Sequence, residues 1–395
     1  MPLSWATLVS LAAMADDVGV LSIYVTVDPH GRPESAPRAP WEVRLRNQLT
    51  EVERRLREEG PREHYMALSA RLEQLRPYLE HLLDPTAPGL GRALFTRVSD
   101  GEVHTVSLQM PLGDRVVFEP DAFIRPLVNA WSQAGPAGAV AVGADGVRLI
   151  DLRFGLADEI AAMRPPELPE QDELKGPPAA ANPAIPLPAA AQRDLYERRE
   201  EDKLLRFLRT VGPELDRHAQ DRAWEHLVVT GDARQVQAVV DGLPLPWKER
   251  VVTLNHPVAT LTVPKIAATV MPGLEEARRQ HHLDLVRRAH DLALSRGAGA
   301  WGLGDTLNAL QQGRVDHLLL AVDGQWTGSR TPDGWLVPEG EVPPGVTPDQ
   351  LTTEPYLGER MIELALASGA KITAVEPDGD GLLERAGGVA ALLRW

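Results

Sequence analysis

The sequence predicts a multidomain protein of mixed α/β and α+β class. Three observations lead there: a β-branched run followed by two amphipathic helical stretches near the start, strands that alternate with helices through the last third, and a Pro/Ala-rich stretch that interrupts the middle. At 395 residues the chain is long enough for two or three domains. Its 43% hydrophobic and 25% charged residues allow ordinary buried cores.

Residues 1–20 are expected to form a helix feeding a core. The apolar run Leu8-Val9-Ser10-Leu11-Ala12-Ala13-Met14 has no basic leader, is followed by Asp16-Asp17, and is too short to span a membrane. Residues 21–27 read as a strand, bounded by Asp28-Pro29, and 29–40 as a loop. Trp41, Leu45, Leu49, Val52 and Leu56 recur at helical spacing until Gly60-Pro61. Met66, Leu68, Leu72, Leu75, Leu79 and Leu82-Leu83 mark a second helix, ending near Asp84-Pro85. Strands at 93–98, 103–109 and 115–118 complete an N-terminal α+β domain, 1–136.

A second domain, 137–262, opens with two apolar runs around Ala144-Asp145-Gly146, a hairpin signal. Residues 164–191 are rich in Pro and Ala, and a structureless stretch of that length is either functional or disordered. A helix resumes at about Gln192. It is almost wholly charged to Lys203 and then carries Leu204, Leu205, Leu208 and Val211, so its near end is expected in solvent and its far end on a core. A strand at 226–230, a Gly231-Asp232 turn, a helix at 233–240 and a strand at 251–254 follow.

The third domain, 263–395, begins with a long helix from about 264. A helix at 304–312 stops at Gly313, where a left-handed C-cap costs little. A strand at 318–322, a turn-rich insertion at 323–354, a helix carrying Leu357, Met361, Leu364 and Ala365, and strands at 371–376 and 389–395 complete it. The alternation implies a mostly parallel sheet covered on both faces.

Composition narrows function. A net charge of −15 argues against a general nucleic-acid coat and against a DNA partner, while permitting a few local RNA contacts. With no cysteine there are no disulfides, thiolate nucleophiles or Cys-type zinc sites, which fits a reducing, cytoplasmic setting. His281, His282 and His290 share a helix but lack a carboxylate cluster of metal-ligand type, and no metal is expected. No phosphate-cradling Gly-rich motif is present, and no cofactor or membrane association is expected.

Three segments resemble, in order, one family. Gly302, Thr306, Ala309-Leu310, Gly313, Val315 and Leu318-Leu319 match the G-x-x-x-T-x-x-A-L-x-x-G-x-V-x-x-L-L segment of archaeo-eukaryotic class I release factors and Pelota proteins. Leu383 and Gly387-Gly388-Val389-Ala390-Ala391-Leu392-Leu393-Arg394-Trp395 resemble their closing L-x-x-x-G-G-I-A-A-I-L-R-[FY], and Leu227-Val228-Val229-Thr230-Gly231 resembles a central-domain segment. The resemblance covers roughly the last two domains and points to the bacterial branch, near the Vms-like group. Most of these residues build core and turns, and they identify the family without performing chemistry.

The resemblance implies a closing module akin to kink-turn RNA-binding proteins. It also implies a central-domain loop whose Gly-Gly-Gln tip enters the peptidyl-transferase centre and places a water against the peptidyl-tRNA ester. Gln192 holds the matching position, but Ala190 and Ala191 replace both glycines, so a catalytic Gln192 and a non-catalytic loop both stay open. Glutamine has no useful pKa, so its part would be positioning and oxyanion-type stabilisation. Arg193, Arg198, Arg199, Lys203 and Arg206 on the helix that follows are candidate contacts to RNA phosphates; the interleaved acids allow the alternative of a solvated helix with i,i+4 pairs. The Asn-Ile-Lys-Ser loop and the Cys-containing motif of stop-codon readers are absent, so no codon reading is expected. The implied role is ribosome rescue or quality control in translation as a peptidyl-tRNA hydrolase, with the large ribosomal subunit and peptidyl-tRNA as partners. The alternatives are a non-catalytic Pelota-like ribosome- or tRNA-binding factor, or a stress-linked protein that keeps the fold.

Overall fold

The computed structural model describes residues 2–31, 38–166, 189–377 and 380–395, with only the backbone described within 189–197. The chain divides into two compact units, Met1–Ala134 with Arg279–Trp395, and Gly135–Arg278.

The first part of unit one runs α1 (Trp5–Ala12), β1 (Ala15–Thr26), α2 (Pro40–Glu59), α3 (Arg62–Leu83), β2 (Gly91–Arg97), β3 (Val103–Leu108), β4 (Arg115–Asp121) and α4 (Arg125–Ala134). The sheet is antiparallel in the order β3-β2-β1-β4. Trp41, Leu45, Leu68 and Leu75 from the two long helices pack on Leu21, Ile23 and Leu94, as the helical spacing and strand alternation require. The buried Arg92 guanidinium donates to the carbonyls of Leu82 and Asp84, both at 2.7 Å, and satisfies the end of α3.

Residues 1–20 are only partly helical, which corrects the sequence expectation. The helix ends at Ala12, and 15–20 begin β1. A bulge lies between Ala15 and Val20. Asp16 accepts from the backbone N–H of Val18 at 3.0 Å and of Ser99 at 2.8 Å, so its carboxylate organises a bulged strand. Gly19, at φ +139°, is required there because a Cβ would meet the Phe118 ring at 2.3 Å.

Unit two contains β5 (Ala137–Gly143), β6 (Gly146–Arg153), β7 (Leu156–Met163), α5 (Ala189–Leu208), α6 (Gly212–Asp221), β8 (His226–Thr230), α7 (Ala233–Gly242), α8 (Leu245–Lys248), β9 (Val252–Leu254) and the first half of α9 (Val263–Leu294). Its sheet order is β7-β6-β5-β8-β9, with β5, β8 and β9 parallel and β7, β6 and β5 antiparallel. Alternate residues face opposite ways. Val140, Val142, Leu227 and Val229 meet α5, α6 and α7, while Ala137, Ala139, Ala141 and Val228 meet Ile266, Val270 and Leu274 of α9.

The remainder of unit one holds the rest of α9, β10 (Gly299–Trp301), α10 (Leu303–Gln311), β11 (Val315–Ala321), β12 (Gly328–Arg330), β13 (Leu336–Pro338), β14 (Thr352–Glu354), α11 (Leu357–Ala367), β15 (Lys371–Val375), α12 (Leu382–Arg385) and β16 (Val389–Leu393). The mostly parallel sheet expected here is corrected to a mixed one. In the order β10-β16-β11-β15, only β11 and β15 are parallel. The reason is that β16 returns through the short α12, inserts between β10 and β11, and runs antiparallel to both. The insertion at 323–354 is likewise more than turns, since it folds its own antiparallel sheet, β13-β12-β14.

Candidate functional site

The site implied by the resemblance centres on α5. Its far end is anchored where Leu204, Leu205 and Leu208 enter the unit-two core. Two glycines fix the junction after it. A Cβ on Gly212 would lie 1.9 Å from the Gly242 carbonyl oxygen, and one on Gly242 would lie 2.4 Å from that of Arg209. The backbones therefore approach more closely than any side chain allows.

The near end of α5 is exposed. Arg198, Arg199 and Arg206 are exposed, Lys203 is half-buried, and Glu201 pairs with Arg234 at 2.5 Å. Among the described residues, Arg198, Arg199 and Arg206 form no ion pair. Ala190, Ala191, Gln192 and Arg193 all have helical backbone in the first turns of α5, three residues earlier than the sequence expectation. The side chains of Gln192 and Arg193 lie outside the described residues, as does 167–188 of the loop expected at 164–191.

At one end of the unit-two sheet, Trp224 Nε1 donates to Asp151 at 2.5 Å, and Arg153 holds the same carboxylate in a two-point pair at 2.5 and 2.7 Å. A Cβ on Gly138 would meet the Trp224 ring at 2.3 Å. Both oxygens of the buried Asp151 carboxylate are hydrogen-bonded, and the cluster reads as structure.

Unit one holds a second constellation, built around the segment that joins β4 to α4. Ser22 Oγ accepts from Phe123 N–H at 3.0 Å, and Tyr24 Oη donates to Phe123 O at 2.6 Å. Glu359 of α11 accepts from the backbone N–H groups of Ile124 at 2.8 Å and Arg125 at 3.2 Å. Arg125 donates to the carbonyls of Ala321 and Val322 at 2.9 and 3.0 Å, and its guanidinium lies 4.8 Å from the Trp326 ring centroid. Trp326 donates to Gly387 O at 2.8 Å. Gly387 and Gly388 are both left-handed, at φ +67° and +78°, and a Cβ on Gly388 would stand 3.1 Å from Ala321 Cβ and 3.2 Å from Trp326. Gly388 of the closing motif thus makes room for the indole that supports Arg125.

Above this floor opens a cleft of about 580 Å³, lined by Arg115, Phe123, Arg125, Asn129, Tyr356 and Glu359 among others. Glu359 is 2% exposed, and its second carboxyl oxygen, Oε1, has no hydrogen-bond partner among the described residues. Burial pushes its carboxyl up to about 7, against the pull of the Ile124 N–H and the Arg125 charge. The next residue, Arg360, pairs with Asp121 and, at 2.9 Å, with Glu363, whose carboxyl burial pushes up to about 8.

Residues 123–272 match the family described as bacterial archaeo-eukaryotic release factor family 10. The match includes α5 and its approach and begins at Phe123, the residue pinned by Ser22 and Tyr24. Solved structures that align with this chain include an archaeal translation termination factor, at 18% identity over 100% of this chain and 99% of that one, with a TM-score of 0.24. Ribosome-bound archaeal Pelota aligns at 13% identity over 99% and 94%, TM-score 0.40. A translation termination-like factor of S. cerevisiae involved in RNA quality control aligns at 9% identity over 77% and 80%, TM-score 0.39. No curated protein matches the chain in sequence.

The sequence expectations did not single out Arg115, Arg125 or Glu359. The one sequence signal for Glu359 was a carboxylate directly after Leu357-Gly358 on a helix otherwise read as core. Among the described residues no group of three or more His, Cys, Asp or Glu could hold a metal ion, and no helix is long and apolar enough to cross a membrane.

Proposed function

We propose that this protein acts in translation on peptidyl-tRNA in stalled or split ribosomes, as a rescue factor that reads no stop codon. The observation that carries this reading is the release-factor family match over 123–272, the region that contains α5 and Gln192. In this reading 137–262 is the central domain, with 164–191 as its ribosome-entering loop. Residues 1–136 and 263–395 flank it, the latter as a closing module of the kink-turn-binding type. Gln192 positions the water that attacks the ester, giving peptide and free tRNA, and stabilises the oxyanion as it forms. Arg193, Arg198, Arg199, Lys203 and Arg206 hold acceptor-stem or ribosomal RNA phosphates. The exposed guanidiniums of Arg198, Arg199 and Arg206 support that part.

Ala190-Ala191 in place of two glycines favours a second reading, a Pelota-like factor that binds the ribosome without hydrolysis. Both readings require ribosome binding, in the cytoplasm and at the large subunit. Co-sedimentation with purified large subunits across a salt series tests that shared requirement. Binding should weaken steeply with salt and fall at least tenfold in the Arg198→Glu/Arg199→Glu/Arg206→Glu variant. Absence of co-sedimentation at low salt would remove both.

A further inference from the structure

The cleft in unit one has the parts of a ligand site. Its volume, about 580 Å³, lies within the range of small-molecule pockets. On one side the exposed Arg115 guanidinium lies 5.2 Å from the Phe123 ring centroid and makes no side-chain hydrogen bond with the described residues. Arg125 adds a second positive charge, held rigidly by two carbonyls and Trp326. Of the acids at the rim, Asp114 is engaged by Arg44 at 2.6 Å and Asp323 is exposed. Arg115 and Arg125 thus place two cations at one cleft of mixed polar and apolar lining, beside Asp114, Asp323 and the buried Glu359, and the exposed Arg115 is the one placed to meet an anionic group.

The rest of the lining specifies what the anion is attached to. Phe123 and Tyr356 stack edge to face at 5.7 Å, and Tyr356 is half-buried, leaving a surface suited to a flat ring. At the floor the buried Glu359 Oε1 lacks a partner among the described residues, although a buried carboxyl oxygen without one is costly. A ring that carries N–H donors would supply it. Asn129, half-buried in the same lining, offers both a donor and an acceptor.

We propose that this cleft binds a nucleotide, either free or as one unit of an RNA strand. Arg115 and Arg125 hold the phosphate, Tyr356 takes the base face, and Glu359 reads the base edge. This site lies in unit one, is distinct from Gln192, and does not depend on the release-factor reading.

Titration calorimetry on the full chain tests it, with the four ribonucleoside monophosphates, the matching nucleosides, inorganic phosphate and short single-stranded RNA as probes. At least one monophosphate should bind saturably, its nucleoside at least tenfold more weakly, and inorganic phosphate no better than the nucleoside. Arg115→Ala, at an exposed position that leaves the fold intact, should weaken nucleotide binding at least tenfold. Glu359→Gln should change the order of preference among the bases. Tighter binding of RNA than of the mononucleotide assigns the site to a strand, and the reverse assigns it to a free nucleotide. No saturable binding by any nucleotide or RNA, or binding that Arg115→Ala leaves unchanged, would overturn the proposal.

Discussion

Glu359 accepts a 2.8 Å hydrogen bond from the backbone N–H of Ile124, 235 positions earlier in the chain. One carboxylate on α11 therefore caps the start of α4 and ties the two sequence-distant parts of unit one together. Through it the segment carrying Phe123 and Arg125 is fixed against the β11 end and Trp326.

This tie makes stability depend on pH in a stated direction. The folded carboxyls of Glu359 and Glu363 lie at about 7 and about 8, above the ordinary 4.5, because burial disfavours their charge. Both bind a proton more tightly folded than unfolded. Their contribution is complete below pH 4.5 and is lost as pH rises through 7 and 8. Urea unfolding from pH 5 to 9 should show stability falling across that window, and Glu359→Gln should flatten its lower part. A wild-type curve that is level from pH 5 to 9 would contradict the assignment.

His317 acts with the opposite sign. Burial, reinforced by Lys371 and His281, lowers its imidazole to about 4. Its contribution is present above pH 6.5 and is lost as pH falls through 4. A ring titration followed by NMR should keep His317 neutral at pH 5, with Nε2 and Thr373 Oγ1 sharing their 2.8 Å hydrogen bond. A midpoint near 6.5 would refute the burial argument.

The glycines of the two family-like motifs should differ in cost. Gly313, at φ +68° with open space where a methyl would point, carries only left-handed strain, so Gly313→Ala should cost about 1 to 2 kcal/mol. Gly388→Ala adds crowding against Ala321 and Trp326 and should cost roughly 2 to 4 kcal/mol. Denaturant midpoints of the two variants read this order directly.

Much of this was legible from residue spacing. The helical recurrence of Trp41, Leu45 and Val52, and the switch from charge to Leu204-Leu205 along α5, each correspond to buried positions. What spacing could not reveal depended on distant partners. The polar β7 pairs along the edge of β6, and the start of β1 is held by Ser99 and Phe118. The insertion of β16 beside β11 is a matter of topology, invisible to local alternation. Glu359 falls in the same class, since its backbone donors lie more than two hundred residues away. The candidate site was legible only in part. Spacing located α5 and its cations, while Gln192 rests on the resemblance to release factors.

On α5 itself, packing and function should separate. Leu208 is fully buried, so Leu208→Ala should cost about 2 to 5 kcal/mol in unfolding free energy. Arg198→Ala and Arg206→Ala should stay within about 0.5 kcal/mol of wild type, as exposed positions do, while weakening ribosome association. Chemical unfolding paired with the co-sedimentation assay distinguishes these roles.

The most direct measurement is peptide release from ribosomes stalled with peptidyl-tRNA in the P site, comparing wild type with Gln192→Ala. The expected result is release by wild type and little or none by the variant, with both proteins co-sedimenting equally. Equal release by the two proteins, or none by either, would contradict a hydrolase centred on Gln192.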